Sequence, residues 1–373
     1  MRPLSIKDPL YQQIEVPREL QEIIDSKPFQ RLRYIKQLAF SDFVYPNANH
    51  TRFSHSLGAY HLMSKVVENE YHKSIPKEDK EALKVAALLH DIAHGPFSHL
   101  WEKTFSHFNH EATAQAIIKG MGFERAAQIL RGDSEYYPLI SSTLDVDKMD
   151  YMRRDSYFCG VNYGLVEVDY ILNRMYIKKN KLVIKPSAIS SVEDVITQRI
   201  NLFKTVYYHK ISIERDTVFM NIFQRVNDLL EEGIKVPMNK HIKSFFTKTN
   251  TIWDLLELTD FKVLAQIQKW ESHRDKILKD LCHRFLERKC LDVVNLEHKK
   301  VNKSKIKKHV KEKYDLRYYF RESKSRIKLL QTPIYVEYEN EIKPLEEVSP
   351  LIKFYTTQKW EIKHVIFPDR ILE

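Results

Sequence analysis

Apolar residues recur every three to four positions over most of the first 235 residues, which predicts a mainly α-helical body. The stretch KVAALLHDIAH, residues 84–94, is apolar on nearly every side, so we expect its helix to be central and buried. Two short helices, broken at Lys27-Pro28, are predicted within 17–38. Further helices are predicted over 52–73, 80–94, 110–119, 123–131, 144–156, 165–175, 188–208 and 214–232.

Alternation of apolar and polar residues adds a few strands. The segment RMYIKKNKLVIKP alternates around Lys179-Asn180, which predicts a small β-hairpin on the helical body. A second region begins near Val236-Pro237, with helices over 252–290 and strands in TPIYVEYENEIKPLEEV and WEIKHVIFP. We therefore predict a mainly α fold with two domains, a helical body over residues 1–235 and a smaller helical and mixed α/β lobe over residues 236–373.

The charge of the chain favours anionic partners, since its formal net charge is +10. The tract Lys299–Lys313 holds eight lysines and one glutamate, and it has two interpretations. It is either a weak site for phosphate or nucleic acid, or an exposed helix whose apolar face is Val301, Ile306 and Val310. The three cysteines lack metal or disulfide spacing and no apolar run is long enough for a membrane span, so we expect a cytoplasmic protein without a membrane partner.

The stretch ALLHDIAHGPFSH, residues 87–99, concentrates groups that bind metals. A buried aspartate without a strong partner carries a large desolvation cost, so the pair His90-Asp91 is best explained by a cation. The segments NHTRFSHSLGAY and LDVDKMDYMRRD offer His55 and Asp147 to complete the site. Two histidines and two aspartates suit a divalent Mn, Fe, Ni, Mg or Zn ion, and the sequence does not choose among these metals.

These residues and their flanking text resemble the HD-domain metal phosphohydrolase superfamily. The motifs FQRLRYIKQL, HTRFSHSLG, LLHDIAHGPFSH, NHE and DVDKMDYMRRD occur in the order found in its deoxynucleoside triphosphate triphosphohydrolase branch, which includes the human SAM-and-HD-domain dNTPase. The resemblance runs from about Asp8 to about residue 230. It implies that His55, His90, Asp91 and Asp147 hold the metal and that dNTPs are split into deoxynucleoside and tripolyphosphate.

The resemblance also implies catalytic roles for His94, His99 and His110, with His99 as the general acid for the 5′ oxygen and His110 orienting it. A carboxylate completes this relay in the family, and Glu102 stands here where the human enzyme has an aspartate. Substrate-binding positions are carried over in the same way. Those for the triphosphate are Arg52, Lys148, Tyr151 and Arg199, and those for the deoxyribose are Gln37, Leu38, Asp155 and Tyr207.

An effector nucleotide and a homo-oligomer are further expectations from the resemblance. Asp25, Gln30 and Arg33 match the family's effector site, although Lys7 stands where an asparagine is expected and Phe203 replaces a family histidine. These departures, with Glu102, leave open a related phosphohydrolase that acts on nucleoside mono- or diphosphates, including GDP-like purine nucleotides. The basic charge leaves open a nucleotide or nucleic-acid binding protein.

Overall fold

A computed structural model describes residues 3–297 and 299–368 of the chain, and its fold is mainly α-helical, as the sequence predicted. The α-helices are Gln21–Asp25 (α1), Lys27–Arg31 (α2), Arg52–Glu68 (α3), Lys77–Leu89 (α4), His99–Thr104 (α5), His110–Gly120 (α6), Glu124–Arg131 (α7), Val146–Cys159 (α8), Val168–Leu172 (α9), Ile189–Leu202 (α10), Lys210–Glu231 (α11), Lys240–Phe246 (α12), Ile252–Leu256 (α13), Asp260–Trp270 (α14), Lys276–Leu286 (α15), Lys303–Lys313 (α16), Leu316–Tyr319 (α17), Leu345–Val348 (α18) and Pro350–Thr357 (α19). None of the helices in the described ranges has both the length and the apolarity needed to cross a bilayer.

Three small sheets accompany these helices. The strands are Leu4–Asp8 (β1), Gln12–Val16 (β2), Met175–Lys178 (β3), Lys181–Ile184 (β4), Asp292–Asn295 (β5), Arg321–Arg326 (β6), Tyr335–Tyr338 (β7), Glu341–Pro344 (β8) and Glu361–Phe367 (β9). β1 and β2 form an antiparallel hairpin, β3-β4-β7-β8 form a four-stranded sheet, and β5-β9-β6 form a three-stranded one.

The predicted hairpin at Lys179-Asn180 is confirmed. Both turn residues have positive φ, 52° and 59°, the conformation that a two-residue turn needs to match the twist of its strands. β4 also pairs in parallel with β7, so that Ile184 lies opposite Val336. One sheet thus joins strands from both sides of the boundary predicted near residue 235, and that division stays a prediction.

The helix predicted over 80–94 ends earlier, at Leu89, so that part of the prediction was wrong. The amide of Ile92 bonds to the carbonyl of Leu89, and the amide of His94 bonds to that of Asp91, which are three-residue turns rather than helical bonds. Pro96 then prevents α4 from continuing, and the next helix, α5, begins only at His99. His90 and Asp91 therefore lie on a tight turn at the end of α4 and not along a helix face.

Other helix boundaries also differ from the predicted ones. The segment 17–38 breaks at Ser26, with Pro28 in the first turn of α2, and helix ends at Arg31 before a 3-10 turn. The segment 252–290 is three helices, because Thr259 and Asp275 cap new ones. α9 is shorter than 165–175, a π-turn over Phe203–Tyr207 ends the segment 188–208, and β1, β2, β5 and β6 were not predicted.

The lysine tract forms α16, which packs Ile306 and Val310 into the core. This agrees with the interpretation of an exposed basic helix with one apolar side.

Candidate metal centre and substrate cavity

Three helix ends bring the candidate ligands together. α3 carries His55 one turn from its start, α4 ends just before His90 and Asp91, and α8 carries Asp147 in its first turn. His55 Nε2 lies 3.2 Å from His90 Nε2 and 3.0 Å from Asp147 Oδ1, and His90 Nε2 lies 3.5 Å from that same oxygen. Asp91 closes the cluster, with carboxylate oxygens 3.4 Å from His90 Nε2 and 3.5 Å from His55 Nε2.

The hydrogen bonds of the two imidazoles indicate what the cluster binds. His55 Nδ1 lies 2.7 Å from Asp150 Oδ2, and His90 Nδ1 lies 2.8 Å from the carbonyl of Ala87. Both partners are acceptors, so each Nδ1 carries the hydrogen and each Nε2 presents a lone pair. Two such lone pairs and a carboxylate oxygen facing one another attract a positive charge, either a proton or a metal ion. The donor set therefore fits a divalent metal ion, consistent with the grouping of His55, His90 and Asp147.

Electrostatics keep the carboxylates ionised. Burial opposes the charge of Asp91, but Arg52, His90 and His94 together outweigh it and hold the pKa of Asp91 well below its usual range. Burial likewise opposes the charge of Asp147, and the neighbouring imidazoles of His55 and His90 lower its pKa. For His55, burial disfavours the cation, while Asp147 and Asp150 together raise its pKa to about 10. The centre is therefore rich in negative charge, as a cation site should be.

Asp150 supports the centre and was missed in the sequence analysis. It is fully buried and accepts hydrogen bonds from His55, from the Tyr11 hydroxyl at 2.8 Å, and from two nitrogens of Arg154 at 2.9 Å each. Arg154 also donates to Asp8 at 2.8 Å. Asp150 lies three residues after Asp147 and four before Arg154, the spacing of one helix face, and this is the signal that could have revealed it.

A second cluster contains the three histidines that the resemblance marks as catalytic. The rings of His94 and His110 stack with centroids 4.2 Å apart, and the ring of His99 stands edge-on to both, at 4.7 and 5.3 Å. His110 Nδ1 lies 2.7 Å from Glu102 Oε2, and His94 Nε2 lies 3.1 Å from Asp91 Oδ1. Glu102 thus contacts His110 directly, so the extra methylene does not prevent this pairing.

The pKa values of His94 and His99 are both lowered, which favours the neutral imidazoles. Burial and the Arg52 charge lower the pKa of His94 well below its usual value. The same two causes lower the pKa of His99 to about 3.

A strained loop joins the two clusters. Phe97 and Ser98 have positive φ, 58° and 59°, which is costly for residues with side chains. Ser98 accepts a hydrogen bond from Arg52 Nε at 2.9 Å, and Asp260 accepts the Phe97 amide at 2.7 Å and the Lys36 amide at 2.8 Å. These contacts hold the loop and so fix the position of Arg52, whose NH1 donates to Asp91 at 2.7 Å.

Both clusters open into one cavity of about 490 Å³, within the size range of small-molecule sites. Its wall contains His90, Asp91 and Asp147 together with all the catalytic and substrate-binding residues predicted from the sequence except Glu102; these are Gln37, Leu38, Arg52, His94, His99, His110, Lys148, Tyr151, Asp155, Arg199 and Tyr207. His55 lies behind this wall, where it is fully buried.

Hydrogen bonds hold several of the polar side chains in this wall. Lys148 Nζ donates to Asp145 at 2.9 Å, and the Tyr207 hydroxyl donates to Asp155 at 2.7 Å. Arg199 NH1 donates to the carbonyl of Leu329, so the C-terminal part of the chain reaches the cavity. Gln37 Oε1 is buried and lacks a hydrogen-bond partner among the described residues.

The predicted effector residues lie elsewhere. Asp25 and Arg33 are exposed, and Arg33 donates to Gln30 at 2.8 Å and stacks its guanidinium 3.6 Å over the ring of Phe53. The structure thus brings Gln30 and Arg33 together but places neither in the cavity.

Several wall residues were not found from the sequence, namely Lys103, Gln115, Tyr137, Ser212, Asp216 and Gln331. Ser212 and Asp216 share α11, but the others belong to separate helices and loops, so only the fold brings the set together.

Comparison with known proteins agrees with this geometry. The family model for the HD domain matches residues 52–155, a range that spans the four candidate metal ligands. The uncharacterized protein YwfO of Bacillus subtilis is 36% identical over 77% of this chain and 71% of its own length. The deoxynucleoside triphosphate triphosphohydrolase SAMHD1 of Homo sapiens is 27% identical over 61% of this chain and 45% of its own length.

A solved structure extends the likeness to the whole chain. The crystal structure of a phosphohydrolase from Bacteroides thetaiotaomicron has a TM-score of 0.88 and 27% identity, covering 99% of this chain and 100% of that one. The present chain belongs to the HD-domain phosphohydrolase family. Its own histidine and aspartate cluster, the match to the HD-domain model and the similar proteins all show this.

Proposed function

We propose that this protein hydrolyses deoxynucleoside triphosphates to deoxynucleosides and tripolyphosphate with a divalent metal ion. The observation that carries the proposal is the single cavity that combines the metal-type cluster, the histidine cluster and three cationic side chains, Arg52, Lys148 and Arg199. A triphosphate brings up to four negative charges and needs such cations around it. The activity in the name of the human relative supports the same substrate class.

The residues of the metal-type cluster, His55, His90, Asp91 and Asp147, would hold the ion, which supplies Lewis acidity and an activated water. Arg52 lies against Asp91 and would neutralise phosphate oxygens beside the ion. Lys148, held by Asp145, would neutralise phosphate oxygens from α8, whereas Arg52 lies on α3. Both cations are already oriented by carboxylates, so little reorganisation is needed when the substrate binds.

His99 would donate the proton to the leaving 5′ oxygen. Its low pKa in the free protein arises from burial and then from the Arg52 charge. An incoming triphosphate opposes that charge, so we expect the pKa of His99 to rise when the substrate binds. His110, held by Glu102 at 2.7 Å, packs beside His99 and would orient it.

The sugar would bind where the wall offers matched polar and apolar groups. The buried, unpartnered Oε1 of Gln37 is suited to accept a hydrogen bond from the 3′-hydroxyl. Asp155 and Tyr207 are joined by a hydrogen bond, and Leu38 is an apolar residue of the same cavity wall. A close apolar fit here would favour deoxyribose over ribose.

The test is incubation of the metal-loaded protein with each dNTP and with GTP, alone and in pairs, with all products resolved by chromatography. We expect deoxynucleoside and tripolyphosphate, lost in His90→Ala and retained in His107→Ala, an exposed histidine outside the cavity. Release of orthophosphate or pyrophosphate would refute the proposal. Cleavage of mono- or diphosphates alone would favour the related phosphohydrolase instead.

The paired incubations also test the expected effector. Activation of one nucleotide's hydrolysis by another, abolished by Arg33→Ala, would place an effector at Asp25, Gln30 and Arg33. Light scattering with and without nucleotide would test the expected homo-oligomer.

A further inference from the structure

His50 is a buried histidine that the proposed chemistry does not use. It lies two residues before α3, and its side chain is fully excluded from solvent. His50 Nε2 lies 2.8 Å from Asp155 Oδ1, and because a carboxylate oxygen accepts, Nε2 donates this bond. His50 Nδ1 is buried without a partner among the described residues, so Asp155 is the polar contact that orients the ring. Phe158 stacks on the same ring, with centroids 4.8 Å apart.

The backbone of His50 holds a second residue of the cavity wall. Its carbonyl accepts a hydrogen bond from the amide of Gln37 at 3.1 Å, and Lys36 pairs with Thr51 beside this bond. Gln37 and Asp155 both line the cavity, whereas His50 is not among the described residues of its wall. One buried residue therefore fixes two wall residues that come from distant parts of the sequence.

The wall residues of α8 indicate which part of a nucleotide meets Asp155. Asp147, Tyr151 and Asp155 follow one another at four-residue spacing on one face of the helix, and all three line the cavity. Asp155 therefore lies about 12 Å along α8 from Asp147 in the metal-type cluster. A carboxylate repels phosphates, and the unpartnered Oε1 of Gln37 is a further acceptor. Two acceptors suit an uncharged donor, and a sugar hydroxyl is such a donor.

We propose that His50 positions Asp155 and Gln37 to accept the 3′-hydroxyl of the nucleotide. The placement of the sugar beside these residues rests on the proposed function. His50 holds Oδ1 of Asp155 and the Tyr207 hydroxyl holds Oδ2 at 2.7 Å, so the carboxylate is fixed from both sides. Each oxygen keeps a second lone pair for the substrate. His50 is thus a positioning residue, because it acts through Asp155 and does not touch the nucleotide.

The test compares each dNTP with its 2′,3′-dideoxy analogue, which lacks only the 3′-hydroxyl. A site built around a hydroxyl rejects the analogue without it, because buried acceptors are then left unpaired. For the metal-loaded wild-type protein we expect kcat/KM to favour the dNTP by about 100-fold or more. In His50→Phe, which keeps a ring against Phe158 but removes the N–H donor, this ratio should fall about 10-fold or more.

Two further variants separate positioning from folding. His50→Gln loses the ring but keeps an N–H donor for Asp155, so it should recover most of the wild-type ratio. His72→Phe also replaces a buried histidine with phenylalanine, but outside the cavity wall, and should leave the ratio unchanged. A wild-type ratio in His50→Phe would overturn the proposal. So would an equal fall in the hydrolysis of dNTP and analogue, which is the result of a merely structural role.

A binding arm distinguishes failure of this inference from failure of the proposed function. Calorimetric titration with the four deoxynucleosides and their 2′,3′-dideoxy analogues needs neither phosphate nor turnover. If no nucleotide is hydrolysed but a deoxynucleoside binds tighter than its analogue, and His50→Phe abolishes the difference, the sugar site stands while the proposed reaction falls. If the wild-type protein binds each deoxynucleoside and its analogue equally, the role of His50 is refuted whatever the activity.

Discussion

Replacing Asp150 with asparagine should weaken metal binding through His55, which Asp150 orients. The side chain keeps its size but loses its charge, while four hydrogen bonds from three donor residues still point at it. Since an amide has one acceptor oxygen, at least one of these bonds is replaced by a contact between donors. Loss of a group that fixes a ligating histidine typically weakens metal affinity about 10- to 100-fold. Breaking the buried pair with Arg154 adds about 3–5 kcal/mol of destabilisation.

The assay is calorimetric titration of chelator-treated protein with Mn²⁺, alongside urea unfolding. Asp8→Asn is the matched control, because Asp8 bonds to the same Arg154 at 2.8 Å but does not touch His55. We expect both variants to lose stability and only Asp150→Asn to lose metal affinity. Equal affinities in Asp150→Asn and wild type would refute the orienting role. If Asp8→Asn lost as much metal affinity as Asp150→Asn, the loss would come from lower folding stability and not from the orientation of His55.

Three further changes follow from the same geometry. Gly58→Ala places a Cβ against the Asp150 carboxylate and Arg154, so we expect a loss of at least about 1–3 kcal/mol in urea unfolding and weaker metal binding. Glu102→Gln removes the charge that holds His110, so kcat should fall about 10-fold or more with KM little changed, measured by steady-state kinetics. Asp260→Asn should remove a pH dependence of stability. Burial raises the pKa of Asp260 to about 7 although backbone amides oppose it, so the folded state holds a proton that the unfolded chain releases near pH 4. Wild-type stability should therefore fall by up to about 4 kcal/mol between pH 4 and 7, and the variant measured at both pH values should lose this slope.

The helices could be predicted because their signal is local. Apolar spacing located α3, α6, α7, α8 and α11 within a few residues, since each buries one face against a neighbour. The end of α4 was misplaced because the apolar pattern continues through Ile92 and Ala93, while the turn at His90 depends on tertiary contacts. β5, β6 and β9 pair over long separations in sequence, as in Val294 with Val365, and no local pattern encodes such pairing.

In the candidate site too, some residues could be predicted from the sequence and others only from the fold. Residue types that bind metals are rare in buried helices, so His90-Asp91 stood out from the sequence alone. The contacts that support them did not stand out. Asp260 lies more than 160 residues from Phe97, and Leu329 lies 130 from Arg199, so only the folded chain shows that these segments hold the cavity wall.

Two carboxylates of α8 face the two different ring nitrogens of His55. Asp147 lies 3.0 Å from His55 Nε2, and Asp150 lies 2.7 Å from His55 Nδ1, so the ring is held between oxygens three residues apart on one helix. Because both are carboxylates, residue type alone does not say which binds metal and which orients the ring. The direction of the ring favours Asp147 as the metal ligand, since Nε2 also faces His90 and Asp91. The same position attracts a proton, which is why the pKa of His55 is raised to about 10, after burial, by Asp147 and Asp150. Metal ion and proton must therefore compete for Nε2, and metal uptake should release a proton and strengthen as pH rises.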